Sequence, residues 1–398
     1  MSSKKVSEFD KIISNLDLRE FLASKKFKQP TQVQTDCIPA LINDENVSVQ
    51  GRTGSGKTLG YLLPIIQKIK KNEDRNIEAK IGEPKAVIVL PTRELALQVF
   101  SITKSISHFA KMRVRKLVGG DKGKTLDTLF SSQMDILITT PDRCLRAFKG
   151  KELRTSSLKY LIMDEADQLL ELSFKKTVGE MSAILTQNDP QIVLVSASRP
   201  ENFPEIIAEF FPNKKFTTIG KGEENILNHK VSTYNISIED TEKFSYIYTF
   251  IKQQNFQNGL IFTGNKARAR KVYNDMLLAG HKKLFLLHKD LDAKDRVRVV
   301  KNFREKGGTL IATDIFARGI DIDHLKWVLN FDLPSEPDYY LHRSGRVGRA
   351  GRNGDVYNFV TSKDKNRQRR INQTLVTQGR QDLSIRGNLN TQRKFKSK

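Results

Sequence analysis

The chain has 398 residues, with 68 Lys and Arg against 45 Asp and Glu and a formal charge of +23 at pH 7; such an excess points to a polyanionic partner, nucleic acid ahead of an acidic membrane surface. With 38% hydrophobic and 28% charged residues the composition is that of a folded rather than a disordered chain, long enough for two or three domains. The apolar runs are too short to span a bilayer, the N-terminal MSSKKVSEFD resembles neither a secretory signal nor a transit peptide, and the distant pair Cys37 and Cys144 suits neither a disulfide framework nor a zinc site. The expectation is a soluble, reduced, cytoplasmic protein without a membrane partner.

In chain order, short β-branched runs recur, each followed by a longer amphipathic stretch. The first set is Val47–Gln50, Ala86–Leu90, Ile136–Thr139, Tyr160–Met163 and Ile192–Val195. The second is Leu260–Thr263, Leu284–Leu287, Thr309–Ala312, Trp327–Phe331 and Val356–Val360. Continuous apolar strands alternating with helical patterns predict α/β domains, each a mostly parallel sheet with helices on both faces. Two successive sets predict two such domains, over residues 1–212 and 232–362. The polar, Gly-containing segment 213–231 is expected to link them. Residues 363–398 carry eleven Lys and Arg against two Asp and are expected to form a basic tail, helical at first and disordered over the last dozen residues.

Gly51-Arg52-Thr53-Gly54-Ser55-Gly56-Lys57-Thr58 lies between a strand and a helical pattern, the context that makes GxxxxGK[ST] a phosphate-binding loop. Its glycines let backbone N–H groups curl around phosphates at a helix N-terminus. Lys57 reaches the β- and γ-phosphates and the Thr58 hydroxyl binds Mg²⁺. Downstream, the run Tyr160–Met163 ends in Asp164-Glu165-Ala166-Asp167. Carboxylates at the C-terminal end of a parallel strand face the ligand crevice. Asp164 is therefore expected to hold Mg²⁺ and Glu165 to orient or deprotonate the attacking water.

Asp-Glu-Ala-Asp in this setting resembles motif II of the DEAD-box ATP-dependent RNA helicases, and the family's other motifs follow in order. Phe9 with Phe27-Lys28-Gln29-Pro30-Thr31-Gln32-Val33-Gln34 resembles the Q motif, in which Phe27 would stack on adenine and Gln34 pair with its edge. Pro91–Ala96 resembles motif Ia, Gly119-Gly120 the GG motif, Thr140-Pro141-Asp142-Arg143 motif Ib and Ser196-Ala197-Ser198 motif III. Ile261-Phe262-Thr263 resembles motif IV, Ala312–Asp314 with Ala317–Asp321 motif V, and His342–Arg349 motif VI.

The resemblance implies two tandem RecA-like domains with ATP and Mg²⁺ as ligands. ATP would touch Phe27, Gln34, the loop Gly51 to Thr58 and, at the ribose, Asp321. Catalysis would fall to Lys57, Asp164, Glu165 and two arginines of the second domain, Arg346 and Arg349. A permanently charged, planar guanidinium suits phosphoryl transfer on its own merits. RNA would be held through its sugar–phosphate backbone by Thr92, Arg93, Gly120, Thr140, Arg143 and Thr313, which grip without reading sequence. Ser196, Ser198 and His342 would couple the domains.

Departures from the family pattern are Lys26 and Asp142 for glycines, Gly51 for alanine, Ser198 for threonine, and Lys289 and Ala293 in the second domain. Asp142 places a carboxylate on the expected phosphate path, and Ala293 removes an RNA-contacting amide, so weakened RNA grip is expected. The sequence thus predicts a monomeric, RNA-stimulated ATPase that separates short duplexes or remodels RNA–protein complexes. Its nearest rival is an ATP-gated RNA clamp that hydrolyses ATP without productive unwinding.

Overall fold

Every apolar run above forms a strand in the computed structural model, which describes residues 7–51, 54–73, 80–120, 124–170, 174–196, 203–220, 231–253, 258–288, 290–291, 293–313, 325–348, 353–377 and 383–385. The chain divides into two compact units, Met1–Lys221 and Gly222–Lys398.

The first unit carries β1 (Val47–Gln50), β2 (Ala86–Val89), β3 (Val114–Leu117), β4 (Ile136–Thr139), β5 (Tyr160–Asp164), β6 (Gln191–Ser196) and β7 (Thr217–Ile219). They form one sheet in the order β3-β4-β2-β5-β6-β1-β7, and every pairing is parallel. Alternate side chains enter two cores, one on each face: Ala86, Ile88 and Ile162 on one, Val87, Val89 and Leu161 on the other. Burial on both faces is why these strands read as unbroken apolar runs instead of alternating ones.

The second unit carries β8 (Val231–Ser237), β9 (Gly259–Thr263), β10 (Leu284–Leu287), β11 (Thr309–Thr313), β12 (Trp327–Asn330) and β13 (Gly354–Val360), in the order β10-β11-β9-β12-β13-β8, again all parallel. Trp327 and Phe250 anchor one face with their rings edge to face at 5.6 Å, an arrangement favoured by the ring quadrupole.

One expectation about connections is revised, and another, the helical start of the basic tail, is met and extended. Residues 217–219, inside the segment expected to be linker, form β7 and extend the first sheet beside β1. The segment expected as a basic tail contributes a helix, Lys365–Thr377, whose Ile371 and Leu375 pack with Leu333, Tyr340, Leu383 and Ile385. Apolar residues spaced four apart give that helix one buried face despite its charge. Of the last dozen residues, expected to be disordered, none lies among the described residues.

The departures at Lys26 and Asp142 have local causes. Lys26 follows the helix Leu16–Ser24 with φ of 59°, and the N–H of Phe27 returns to the Leu22 carbonyl at 3.0 Å. A left-handed residue closes that helix, which explains the family glycine; lysine there costs about 1–2 kcal/mol. Asp142 is exposed in the first turn of the helix Pro141–Lys149, where a carboxylate complements the helix dipole by about 0.3–1 kcal/mol.

Candidate nucleotide and RNA sites

The functional loops of the first unit leave the C-terminal ends of its strands, and the strand order sorts them. The phosphate loop follows β1, the acidic segment β5 and the Ser196 segment β6, on neighbouring strands. The loops bearing Thr92, Gly120 and Thr140 follow β2, β3 and β4 on the other half of the same edge. This placement at the carboxyl ends of a parallel sheet is where α/β proteins bind ligands.

Gly51 donates its N–H to the Ser196 carbonyl at 3.2 Å, tying the loop's start to the end of β6. Gly54 and Gly56 have φ of 86° and 88°, conformations that glycine adopts without penalty. A Cβ on Gly56 would lie 2.4 Å from Gln34 Nε2. The Lys57 ammonium donates to the Gly51 carbonyl. Arg52 and Thr53 lie outside the described residues.

The Q-motif residues are struts of this loop. Thr31 caps the helix Gln32–Ile42 and Gln34 returns the bond, a capping box worth about 1 kcal/mol. Thr31 Oγ1 also donates to the Ser55 carbonyl at 2.7 Å. Gln34 Oε1 accepts from Thr31 N at 3.0 Å, and Nε2 donates to the Gly56 carbonyl at 3.0 Å. Gln34 is thereby buried, and the expected pairing with adenine is left to its second N–H and remaining lone pair. Phe27 is 43% exposed, with a ring face open for stacking, whereas Phe9 is buried in the first core.

Tyr61, which sequence reasoning passed over, joins the two halves of the site. It is fully buried and its hydroxyl donates to Asp164 Oδ2 at 2.9 Å. The signal for it was its place one helical turn after Thr58. Burial pushes the Asp164 carboxyl up, opposed by the Tyr61 hydroxyl and the Lys57 charge. Among the described residues no group of three or more His, Cys, Asp or Glu is placed to hold a metal. Mg²⁺ needs less: a buried carboxylate with a hydroxyl beside it, the remaining positions going to phosphate oxygens and water. Asp164 supplies the buried carboxylate, and Thr58, at the start of the helix whose Tyr61 reaches Asp164, supplies the hydroxyl.

Glu165 stands at φ 55°, ψ 48° before the short helix Ala166–Leu169. A non-glycine residue in the left-handed region is strained by about 1–3 kcal/mol, and such strain clusters at functional positions. Its N–H donates to Asp164 Oδ1 at 2.9 Å, and its Oε2 accepts from Gln168 Nε2 at 3.2 Å. Ser196 ends β6, buried; Ser198 lies outside the described residues.

On the other half of the edge, Thr92 caps the helix Arg93–Ala110 by accepting from Leu95 N at 3.3 Å. Gly120 has φ of 93°, and a Cβ there would lie 2.3 Å from Arg93 Nη1, so the Arg93 guanidinium rests on the GG turn. Thr140 is the N-cap of the helix Pro141–Lys149 without a side-chain cap bond, and Arg143 follows in its first turn. Gly120→Ala meets the end of a flexible side chain and, at φ of 93°, costs about 1–2 kcal/mol of backbone strain; it is expected to keep the fold and to move Arg93. RNA affinity should fall about tenfold, the value of one charge-assisted hydrogen bond; anisotropy with a fluorescent single strand measures it, and an unchanged Kd would remove Gly120 and Arg93 from the site.

In the second unit the arginines of motif VI divide. Arg343 is buried; its Nη1 donates to Asn330 Oδ1 at 2.8 Å and to the Asp332 carbonyl at 2.7 Å, and its guanidinium lies 4.8 Å from the Phe262 ring centroid. Arg346 follows the helix Pro337–Ser344, its Nε donating to the His342 carbonyl at 3.3 Å. Thr313 ends β11. Arg349, Asp321 and Lys289 lie outside the described residues, as does the side chain of Ala293.

A phosphate loop after β1 and an acidic strand end two strands away, in a chain of two all-parallel sheets, define the class: a tandem RecA-like P-loop protein. The DEAD/DEAH box helicase family matches residues 31–206 and the Helicase conserved C-terminal domain residues 242–351. The ATP-dependent RNA helicase eIF4A of Candida albicans is 31% identical over 88% of this chain and 86% of that relative. The DEAD-box ATP-dependent RNA helicase CshA of Bacillus subtilis is 29% identical over 90% of this chain and 70% of its own. Among solved structures, S. cerevisiae Dbp5 bound to RNA and ADP BeF3 superposes with a TM-score of 0.82 at 25% identity, covering 95% of each chain. The chain belongs to the DEAD-box ATP-dependent RNA helicase family.

Proposed function

We propose that the chain is an RNA-stimulated ATPase that holds the RNA backbone and locally separates short duplexes or remodels RNA–protein complexes, working as a monomer in the cytoplasm. The observation that carries this reading is the 2.9 Å bond from the Tyr61 hydroxyl to Asp164, which ties the helix that follows the phosphate loop to the acidic strand end. Thr58 and Asp164 would hold Mg²⁺, whose charge offsets that of the β- and γ-phosphate oxygens. Lys57 leaves the Gly51 carbonyl for the phosphates. Glu165 accepts the proton of the attacking water. Arg346 and Arg349 bring fixed positive charge to the γ-phosphate, and Asp321 takes the ribose. Ser196, Ser198 and His342 transmit RNA occupancy to this chemistry, so that ATP and RNA bind cooperatively.

RNA is held by Thr92, Arg93, Gly120, Thr140, Arg143 and Thr313 through phosphates and 2′-hydroxyls. The exposed carboxylate of Asp142 beside this track favours the clamp as the second reading. ATP hydrolysis with and without single-stranded RNA tests the proposal: RNA should raise the rate by at least about fivefold, the lower range of allosteric coupling. A rate indifferent to RNA overturns it. Strand separation on a duplex of about one helical turn, a length that local prying opens without translocation, then separates helicase from clamp, since a clamp leaves the duplex intact.

A further inference from the structure

Three asparagines lie abreast across the second sheet. Asn330 on β12 stands opposite Asn358 on β13, and Asn358 opposite Asn235 on β8. All three are buried, on the face of the sheet that carries Val328, Val356 and Val360 and opposite that of Ile236, Leu329, Tyr357 and Phe359. Their amides are aligned in one direction. Arg343 Nη1 donates to Asn330 Oδ1 at 2.8 Å, Asn330 Nδ2 to Asn358 Oδ1 at 2.7 Å, Asn358 Nδ2 to Asn235 Oδ1 at 2.8 Å, and Asn235 Nδ2 to the Ser384 carbonyl at 3.3 Å. A branch runs from Asn358 Nδ2 to Tyr340 Oη at 3.0 Å and from Tyr340 Oη to the Leu383 carbonyl at 2.9 Å.

Amides buried in an apolar sheet are costly unless every group is satisfied, and apolar residues would fill the same space more cheaply. A row that starts at a guanidinium and points away from it is polarised by that charge, so each bond strengthens the next. Both ends are fixed. At the far end Ile385 N donates to Asn372 Oδ1 at 2.7 Å, and the Ile385 carbonyl accepts from Gln368 and Asn372, both at 2.7 Å. Leu383 and Ile385 sink into the cluster under the helix Lys365–Thr377. At the near end the Arg343 carbonyl accepts the N–H of Arg346 at 3.1 Å. Tyr340 and Arg343 lie one turn apart on the helix that leads to Arg346.

We infer that this amide row is a positioning device for ATP hydrolysis: anchored on the segment Leu383–Ile385, it sets Arg343 and Tyr340 and through them the orientation of Arg346. Asn235, Asn330, Asn358 and Tyr340 are its positioning residues; none of them touches substrate. The inference rests on the ATPase reading above.

Tyr340→Phe removes one hydroxyl from the branch and keeps the ring, and Asn235→Leu cuts the row from Ser384. In the full-length chain at saturating RNA, each is expected to lower kcat about tenfold, the effect of raising the barrier by about 1.4 kcal/mol. The KM for ATP should stay within about twofold, since the loss falls in the transition state. Assays run well below the melting temperature of each variant separate this from lost stability. A lower melting temperature with wild-type kcat overturns the inference and leaves the row as a structural brace. Should Asn235→Leu fail to fold, Tyr340→Phe carries the test alone. If the wild-type chain hydrolyses no ATP, the ATPase reading fails and this inference with it; wild-type activity with unaltered variants fails this inference only.

Discussion

Glu165→Gln is expected to lower kcat for ATP hydrolysis by about 10²–10⁴-fold, the contribution of a positioned general base. The substitution is nearly isosteric, and an amide oxygen still accepts from Gln168 Nε2, as Oε2 does at 3.2 Å. Backbone at φ 55° stays as it is, so the loop after β5 keeps its shape. What disappears is the group proposed to receive a proton from water. ATP and RNA should therefore still bind, and the variant should persist as an ATP–RNA complex in gel shift while phosphate release stops. Lys57→Ala makes the contrast. It removes the cation nearest the phosphates, so turnover and ATP-dependent RNA retention should be lost together. Turnover by Glu165→Gln at the wild-type rate would take the general-base role from this carboxylate.

Arg346→Ala is expected to lower kcat by about 10³-fold or more, the range for an arginine that neutralises transition-state charge in phosphoryl transfer. Its KM for ATP should change far less, because the contact strengthens as charge develops. Lysine should not rescue it, since a point charge on a flexible stem cannot reproduce the planar fork. Arg343→Ala should lose stability as well as kcat. Its guanidinium fills two buried acceptors, Asn330 Oδ1 and the Asp332 carbonyl, and leaving such groups unpaired costs about 1–3 kcal/mol each. Thermal melting should register that loss directly, and more strongly than for Arg346→Ala, whose Nε donates to the His342 carbonyl at 3.3 Å. Equal stability losses at both positions, with equal losses of kcat, would make Arg346 a structural residue as well.

Those two arginines stand three apart in His342-Arg343-Ser344-Gly345-Arg346, and nothing in that string distinguishes them. The difference is made by β12 and the bend after it, which deliver Asn330 and Asp332 to one face of the helix and leave Arg346 beyond its end. Gln34 teaches the same lesson from the first unit. As a sequence feature it is an amide beside an aromatic, suited to adenine; folded, it is drawn onto the Gly56 carbonyl by the capping box at Thr31.

Ten of the strands, the phosphate loop and the acidic strand end were legible before folding, because they depend on local patterns. A strand buried on both faces must be an apolar run, and a loop wrapping phosphate must have glycines at fixed spacing before a helix. The large positive charge likewise announced a polyanion. Tyr61, the buried role of Arg343, the edge strands β3, β7 and β8 and the amide row ending at Ser384 were not legible. Each depends on partners brought from afar by the sheet order: Tyr61 meets Asp164 across 103 residues and Asn235 meets Ser384 across 149. The expected tail shows the contrast within one segment. Its charge is local and was read correctly, but Leu383 and Ile385 became part of a core only because Tyr340, Ile371 and Leu375 were already gathered there to cover them.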